Sequence, residues 1–295
     1  MIKKKTIFII SGGRTGTKFF ARLFQKVLPD CVSCHEPDTL YLRSFSLEHY
    51  LFVFRHFGFF SSGFGKLFGK RGMRSLSNHN VTGTRARKDI VNSLRRQRED
   101  FVNSFPQEFY VESNNQLYGL VDIIPEVFSN YRIICIVRDG KDWVRSRMNH
   151  KIWFSRTDIM NLFGKRLNPH MFSHGQQKFQ KTWNRMSRFE KICWSWVQIN
   201  RFQIEMARKD KNATVVRFED IFKAKDRYKN LEKLLEFATS MDNRPILGSW
   251  RGILEKRINV SKKEGGFPGY KHWSDEQKRQ FHDICGSLMQ ELGYK

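Results

Sequence analysis

The chain has 295 residues, 40% hydrophobic and 14% aromatic, enough to build a core and to exclude wholesale disorder. Lys and Arg number 53 against 29 Asp and Glu, and the net charge of +24 marks a chain that meets polyanions or anionic small molecules. Five scattered cysteines (Cys31, Cys34, Cys135, Cys193, Cys285) are too few for a disulfide framework, so a reducing cytoplasm is the expected location.

The basic start is followed by Thr6-Ile7-Phe8-Ile9-Ile10, too short an apolar run for a signal peptide or a bilayer span, which reads as a strand buried on both faces of a parallel sheet. After a Gly-rich turn, Phe19, Phe20, Leu23, Phe24, Val27 and Leu28 recur at helical spacing and predict an amphipathic helix over about 15–28. Further strands are expected at about 109–112, 132–137 and 213–217. Helices are expected over about 142–153 and 183–208, and from the cap signal Ser274-Asp275-Glu276-Gln277 to about 292.

There is no internal repeat and no low-complexity linker, so residues 1–295 read as one α/β domain, a P-loop-type three-layer sandwich around a central parallel sheet. It carries a basic, aromatic-rich insertion at about 40–108 and a helical insertion at about 155–182. Residues 43–98 hold twelve Lys/Arg against two Asp/Glu, and residues 141–191 hold twelve against three. Eight phenylalanines fall between positions 45 and 68, a composition that suits an aromatic and basic cap over a cleft, a peripheral membrane contact, or a solvated helical subdomain.

Ser11-Gly12-Gly13-Arg14-Thr15-Gly16-Thr17-Lys18 lies where the first strand meets the first helix. Glycines there let the backbone curl so that successive N–H groups converge on one oxyanion, and the helix N-terminus adds partial positive charge. Gly13, Arg14, Thr15, Gly16, Thr17 and Lys18 are therefore the expected anion contacts. A magnesium-dependent nucleotidase needs Ser or Thr after Gly-Lys and an Asp at the end of a later strand. Here Phe19 follows Lys18, and the strand ending at Val137 delivers Arg138. Both departures point to a site that neutralises anions with protein cations and uses no metal. Cys31-Val32-Ser33-Cys34-His35 lacks the second ligand pair of a zinc site.

The loop Arg14-Thr15-Gly16-Thr17 resembles the 5′-phosphosulfate loop of the sulfotransferases that use 3′-phosphoadenosine-5′-phosphosulfate (PAPS), in the Arg version similar to Nod-factor and tyrosylprotein sulfotransferases. The segment Ile136-Val137-Arg138-Asp139-Gly140-Lys141-Asp142-Trp143-Val144-Arg145-Ser146 resembles the family's 3′-phosphate motif, an Arg at a strand end and a Ser eight residues later. Val216-Arg217-Phe218-Glu219-Asp220-Ile221 resembles its Arg-Tyr-Glu-Asp-Leu stretch, and Trp273 with Leu292-Gly293-Tyr294 its C-terminal helix. The resemblance covers roughly 6–38, 110–150, 213–222 and 257–295. Residues 40–108 and 155–182, which would choose the acceptor, lie outside it.

The resemblance implies a nucleotide-binding enzyme that moves the sulfuryl group from PAPS to a hydroxyl of a carbohydrate, a lipid-linked sugar or a small molecule. It implies that Arg138 and Ser146 close on the 3′-phosphate, and that Arg257, Lys262 and Lys263 form a basic loop over the same group. Arg14, with Lys18 as the alternative, would stabilise the leaving 5′-phosphate. Glu36 follows the loop by about twenty residues, where tyrosylprotein-type enzymes carry their base, and His35 and Glu112 are the alternates. Ser113 and Asn114 stand where relatives carry Lys or His near the sulfate. Two other readings remain open: a P-loop kinase-like phosphotransferase, and a non-enzymatic polyanion or nucleic-acid binder, which the charge alone would support without specific recognition of nucleic acid.

Overall fold

Among the described residues, five strands form one sheet: β1 (Lys5–Ser11), β2 (Cys31–His35), β3 (Phe109–Asn114), β4 (Tyr131–Val137) and β5 (Ala213–Arg217). Their order is β2-β3-β1-β4-β5, and every pairing is parallel. The computed structural model describes residues 1–39, 47–58, 72–150, 152–162, 164–242, 246–248, 250–255 and 266–294. The longer helices are α1 (Thr17–Val27), α2 (Leu47–Phe57), α3 (Met73–Thr82), α4 (Arg87–Asn103), α5 (Gly140–Met148), α6 (Arg188–Ala207), α7 (Arg227–Thr239) and α8 (Asp275–Glu291).

Because successive strand residues point to opposite faces, the continuous apolar runs feed two cores. Ile7 and Ile9 of β1, Val111 of β3 and Ile134 and Ile136 of β4 pack with Phe20, Leu23 and Phe24 of α1 and Leu231, Leu234 and Leu235 of α7. Phe8, Ile10, Tyr110, Ile133, Cys135 and Val137 pack on the other face with Leu94 and Phe101 of α4, Ile192 and Trp196 of α6, and Phe281 and Leu288 of α8. Each fully buried Leu, Ile or Phe contributes about 1.5–3 kcal/mol of transfer free energy, so the two faces together hold the three layers.

The structure departs from the sequence expectations at three boundaries. β2 was not foreseen: Cys-Val-Ser-Cys-His is a half-buried edge strand without an apolar run. The helix expected to reach 153 ends at Met148. There the Arg188 guanidinium takes the carbonyls of Arg147, Met148, His150 and Trp153 at 2.6–3.2 Å, capping the last turn and bending the chain away. The helix expected from 183 starts at Arg188 because Ser187 and Glu190 form a reciprocal capping box. A short helix, Gln177–Thr182, precedes it.

Between β2 and β3 the described chain forms α2, α3 and α4. Phe52 and Phe57 of α2 pack on Phe101 of α4 at ring-centroid separations of 5.9 and 4.8 Å. The remainder of 45–68, and Arg257, Lys262 and Lys263, lie outside the described residues. Among the described residues, no helix is long and apolar enough to cross a membrane.

Candidate active site

β1 lies between β3 and β4, so the chain leaves it toward one side of the sheet and later strands fill both sides. The crevice at the carboxyl end of such a strand is the natural ligand site of an open parallel sheet. The turn leaving β1 runs through left-handed backbone at Gly13 (φ 77°), Arg14 (φ 62°) and Gly16 (φ 81°). Gly16 is needed twice over, for its φ and because a Cβ would lie 3.1 Å from the Phe222 ring. α1 then begins on Gly16 with no side-chain cap and no acidic residue in its first turn. Thr15 beside it is buried, and among the described residues its Oγ1 has no hydrogen-bond partner. An uncapped helix start next to an orphaned hydroxyl is what an oxyanion would complete.

The wall opposite the loop comes from β4 and α5. Arg138 Nη1 donates to the Arg14 carbonyl over 2.8 Å, and Arg14 Nε donates to Ser146 Oγ over 2.8 Å. Thus Arg138, Ser146 and Arg14 meet at one edge of the loop. Partial desolvation, then repulsion from Arg138, pushes the Arg14 guanidinium below its ordinary value. The Arg138 guanidinium rests over the Phe218 ring, 4.8 Å from its centroid, and its carbonyl accepts from Trp196 Nε1 over 3.0 Å. Its Nε is buried without a partner among the described residues. The segment after β5 supports this arrangement: Arg217 pairs with Asp220 at 2.9 Å, and Glu219 accepts from Tyr294 Oη at 2.9 Å and from the Asp139 N–H at 3.4 Å.

On the other side of the loop stand His35 and Glu36, at the end of β2. Glu36 is buried and adopts φ 47°, a conformation that non-glycine residues hold only when their surroundings impose it. Its backbone N–H donates to the Ser113 carbonyl over 3.1 Å, and Asn115 Nδ2 donates to its Oε1. Asn115 also packs against the loop, 3.3 Å from where a Gly13 Cβ would stand. His35 Nε2 lies 3.0 Å from Thr17 Oγ1 and 3.9 Å from Glu36 Oε1. Burial pushes the imidazole below its ordinary value, the Glu36 charge opposes this, and Lys18 adds to it. The neutral form of His35 is therefore favoured.

Glu112 has a different environment. It is fully buried and receives Arg98 through a paired fork at 2.8 and 2.7 Å, Tyr110 Oη at 2.8 Å and Asn114 Nδ2 at 2.8 Å. Ser113 Oγ donates to the Thr17 carbonyl over 2.8 Å. These residues brace the floor behind the loop. Burial pushes the Cys31 and Cys34 thiols up to about 12, so they stay protonated in the strand.

Among residues singled out in the sequence, the fold brings together Gly13, Arg14, Thr15, Gly16, Thr17, His35, Glu36, Arg138 and Ser146. Lys18 is exposed in the first turn of α1. Sequence reasoning missed Asn115, Trp143, Arg147, Trp196 and Phe218 as parts of the site. Trp143 Nε1 donates to the Gly13 carbonyl over 2.8 Å, and Arg147 donates to that of Gly12. The spacing of Trp143 and Arg147, four apart on α5, places both toward the loop and was a usable signal.

No protein-family model matches the chain, and no curated protein does. Solved structures do resemble it. The sulfotransferase domain from the curacin biosynthetic pathway is 12% identical with a TM-score of 0.48, over 100% of this chain and 99% of that one. A sulfotransferase from Alicyclobacillus acidocaldarius is 10% identical with a TM-score of 0.45, over 100% and 98%. A mouse sulfotransferase complexed with PAP is 13% identical with a TM-score of 0.44, over 97% and 85%.

Proposed function

We propose that this protein is a PAPS-dependent sulfotransferase that moves a sulfuryl group to a hydroxyl of an acceptor. The observation that carries the reading is the meeting of Arg14, Arg138 and Ser146, brought from the two sides of the β1–β4 crevice to the edge of an uncapped phosphate loop. The orphaned Thr15 Oγ1 and Arg138 Nε, both buried, suit a ligand with separate anionic groups, and PAPS has a 3′-phosphate, a 5′-phosphate and a sulfate. PAPS supplies an activated sulfuryl group whose S–O bond to the 5′-phosphate breaks as the acceptor oxygen bonds to sulfur.

In this reading Arg138 and Ser146 hold the 3′-phosphate, the Arg through a charge-assisted fork. The N–H groups of Gly13 to Thr17 and the Thr15 hydroxyl hold the 5′-phosphate, with the α1 dipole behind them. Arg14, with Lys18 as the alternate, stabilises charge developing on the leaving phosphate. Protein cations suffice because a transferring sulfuryl group carries less charge than a phosphoryl group. The residue types agree: Phe19 follows Lys18, and Arg138 occupies the strand end where a metal-holding Asp would stand.

Glu36 accepts the acceptor's proton. Asn115 fixes its Oε1 beside the phosphate loop. His35, itself bonded to Thr17, is the alternate base. Glu112 is a weaker candidate, since its oxygens already receive Arg98, Tyr110 and Asn114. A reducing cytoplasm as the place of action suits the five unpaired thiols. The reading is tested by incubating the protein with labelled PAPS and a panel of saccharides, lipid-linked sugars and small alcohols. Label on an acceptor supports it, whereas label transferred only from the γ-position of ATP would favour phosphotransfer.

A further inference from the structure

Behind the phosphate loop lies a second group of cations that the donor chemistry above leaves unused. Arg147 follows Ser146 directly but turns inward. Its guanidinium rests 3.8 Å from the Trp153 ring centroid and 4.9 Å from that of Trp143, and its Nε is buried without a partner among the described residues. Arg166 lies over the same Trp153 ring at 4.4 Å and pairs with the buried Asp158. Arg74, on α3, acts electrostatically on Arg147, Arg166 and Tyr118, and among the described residues it makes no hydrogen bond or ion pair. Arg74 is also the most accessible of the three.

Among the described residues the charges here do not balance. Arg147 has Arg14, Arg166 and Arg74 as neighbouring cations and Glu36 as its neighbouring carboxylate, while Asp158 is already engaged by Arg166. Burial and these cations push the Arg147 guanidinium well below its ordinary value, yet a guanidinium keeps its charge far above neutral pH. A buried guanidinium with an unsatisfied N–H among like charges offers a place for an anion to enter.

Position indicates whose anion it is. Arg147 meets the loop on its Gly12–Gly13 side, 2.5 Å from where a Gly13 Cβ would stand, and Asn115, which holds Glu36, packs at the same spot. Arg138 and Ser146 occupy the Arg14 end of the loop instead. Arg74 and Arg166 come from the segments 40–108 and 155–182, outside the stretches that carry the donor motifs.

We propose that Arg147 and Arg166, stacked on Trp153, form with the neighbouring Arg74 an acceptor subsite for an anionic group, a carboxylate, sulfate or phosphate carried by the hydroxyl acceptor. The proposal rests on the sulfotransferase reading and names its substrate class: acceptors that are already anionic. Arg147 and Arg166 form the inner wall, held by the tryptophan and by Asp158, and Arg74 is the arm that closes on the incoming group.

The test uses the full chain saturated with 3′-phosphoadenosine 5′-phosphate (PAP), so that the donor phosphates are already satisfied, and titrates acetate, sulfate and phosphate separately while following tryptophan fluorescence. At least one anion should bind, and the order of affinities identifies the group. Arg74→Gln should weaken that anion about tenfold, the effect of losing one charge-assisted contact, while PAP affinity stays within about twofold; Arg74→Lys should restore part of it. Among the described residues the Arg74 side chain makes no hydrogen bond or ion pair, so its replacement should leave the fold intact. Absence of anion binding, or equal binding by Arg74→Gln and the parent, would overturn the subsite. If PAP itself fails to bind, the donor reading falls separately, and the Arg74-dependent part of the same titration without nucleotide still decides the subsite.

Discussion

Arg14 and Ser146, 132 residues apart in the chain, are joined by a 2.8 Å hydrogen bond from Nε to Oγ. The bond ties the phosphate loop to the first helix after β4, and Arg138 closes the same junction from the strand end by donating to the Arg14 carbonyl. A nucleotide with both a 5′- and a 3′-phosphate would take over these donors together.

Arg138→Ala and Ser146→Ala should therefore weaken PAP far more than AMP. A hydrogen bond to a charged group contributes about 1.5–3 kcal/mol, a loss of roughly 10- to 150-fold for PAP. Calorimetry with both nucleotides reads it, and equal losses would remove the 3′-phosphate assignment.

Replacing the two glutamates should fail in different ways. Glu36→Gln keeps the outline but cannot take a proton, so turnover should fall about 10²- to 10⁴-fold with PAP affinity unchanged. Glu112→Gln leaves Arg98 buried beside a neutral amide, which should cost about 3–5 kcal/mol of stability and lower the denaturation midpoint. A dead, fully stable Glu112→Gln beside an active Glu36→Gln would transfer the base to Glu112.

Gly13→Ala should fold but lose PAP affinity. The new methyl meets a left-handed backbone, a strain of about 1–3 kcal/mol, and reaches the Arg147 Nη2 position at 2.5 Å. Circular dichroism and nucleotide titration together separate this from unfolding, and parental affinity would contradict the close packing of the loop.

His35 should make the protein sensitive to acid. Its imidazole is held below the ordinary value of about 6.5, so on acidification the unfolded chain takes up the proton first. Its neutral form is favoured in the fold, and the associated stability is fully present above about pH 6.5 and declines as pH falls below it. Urea midpoints at pH 7.5 and 5.5 should differ less in His35→Gln than in the parent. An unchanged difference would contradict the burial of a neutral imidazole.

The legibility of this chain follows burial. β1 and β4 announced themselves because strands covered on both faces are apolar throughout, and β5 was bounded at both ends where expected. β2 escaped because a half-buried edge strand carries no continuous apolar run. Candidate residues were legible where motif and position coincided, as at Gly13 to Thr17, Arg138 and Ser146. Asn115 and Phe218 were not, because they act through contacts distant in sequence that no local pattern encodes: Asn115 reaches Glu36 across 79 positions, and the Phe218 ring lies under the Arg138 guanidinium.

A crevice that holds a 3′-phosphate with protein cations, as proposed, needs no metal. Calorimetric titration of the parent protein in EDTA with PAP, AMP and ATP, repeated with magnesium, tests it most directly. PAP should bind at least about tenfold more tightly than AMP, the effect of one charge-assisted contact, and magnesium should not change it. Equal affinities for PAP and AMP, or tight binding that appears only for ATP with magnesium, would contradict the account.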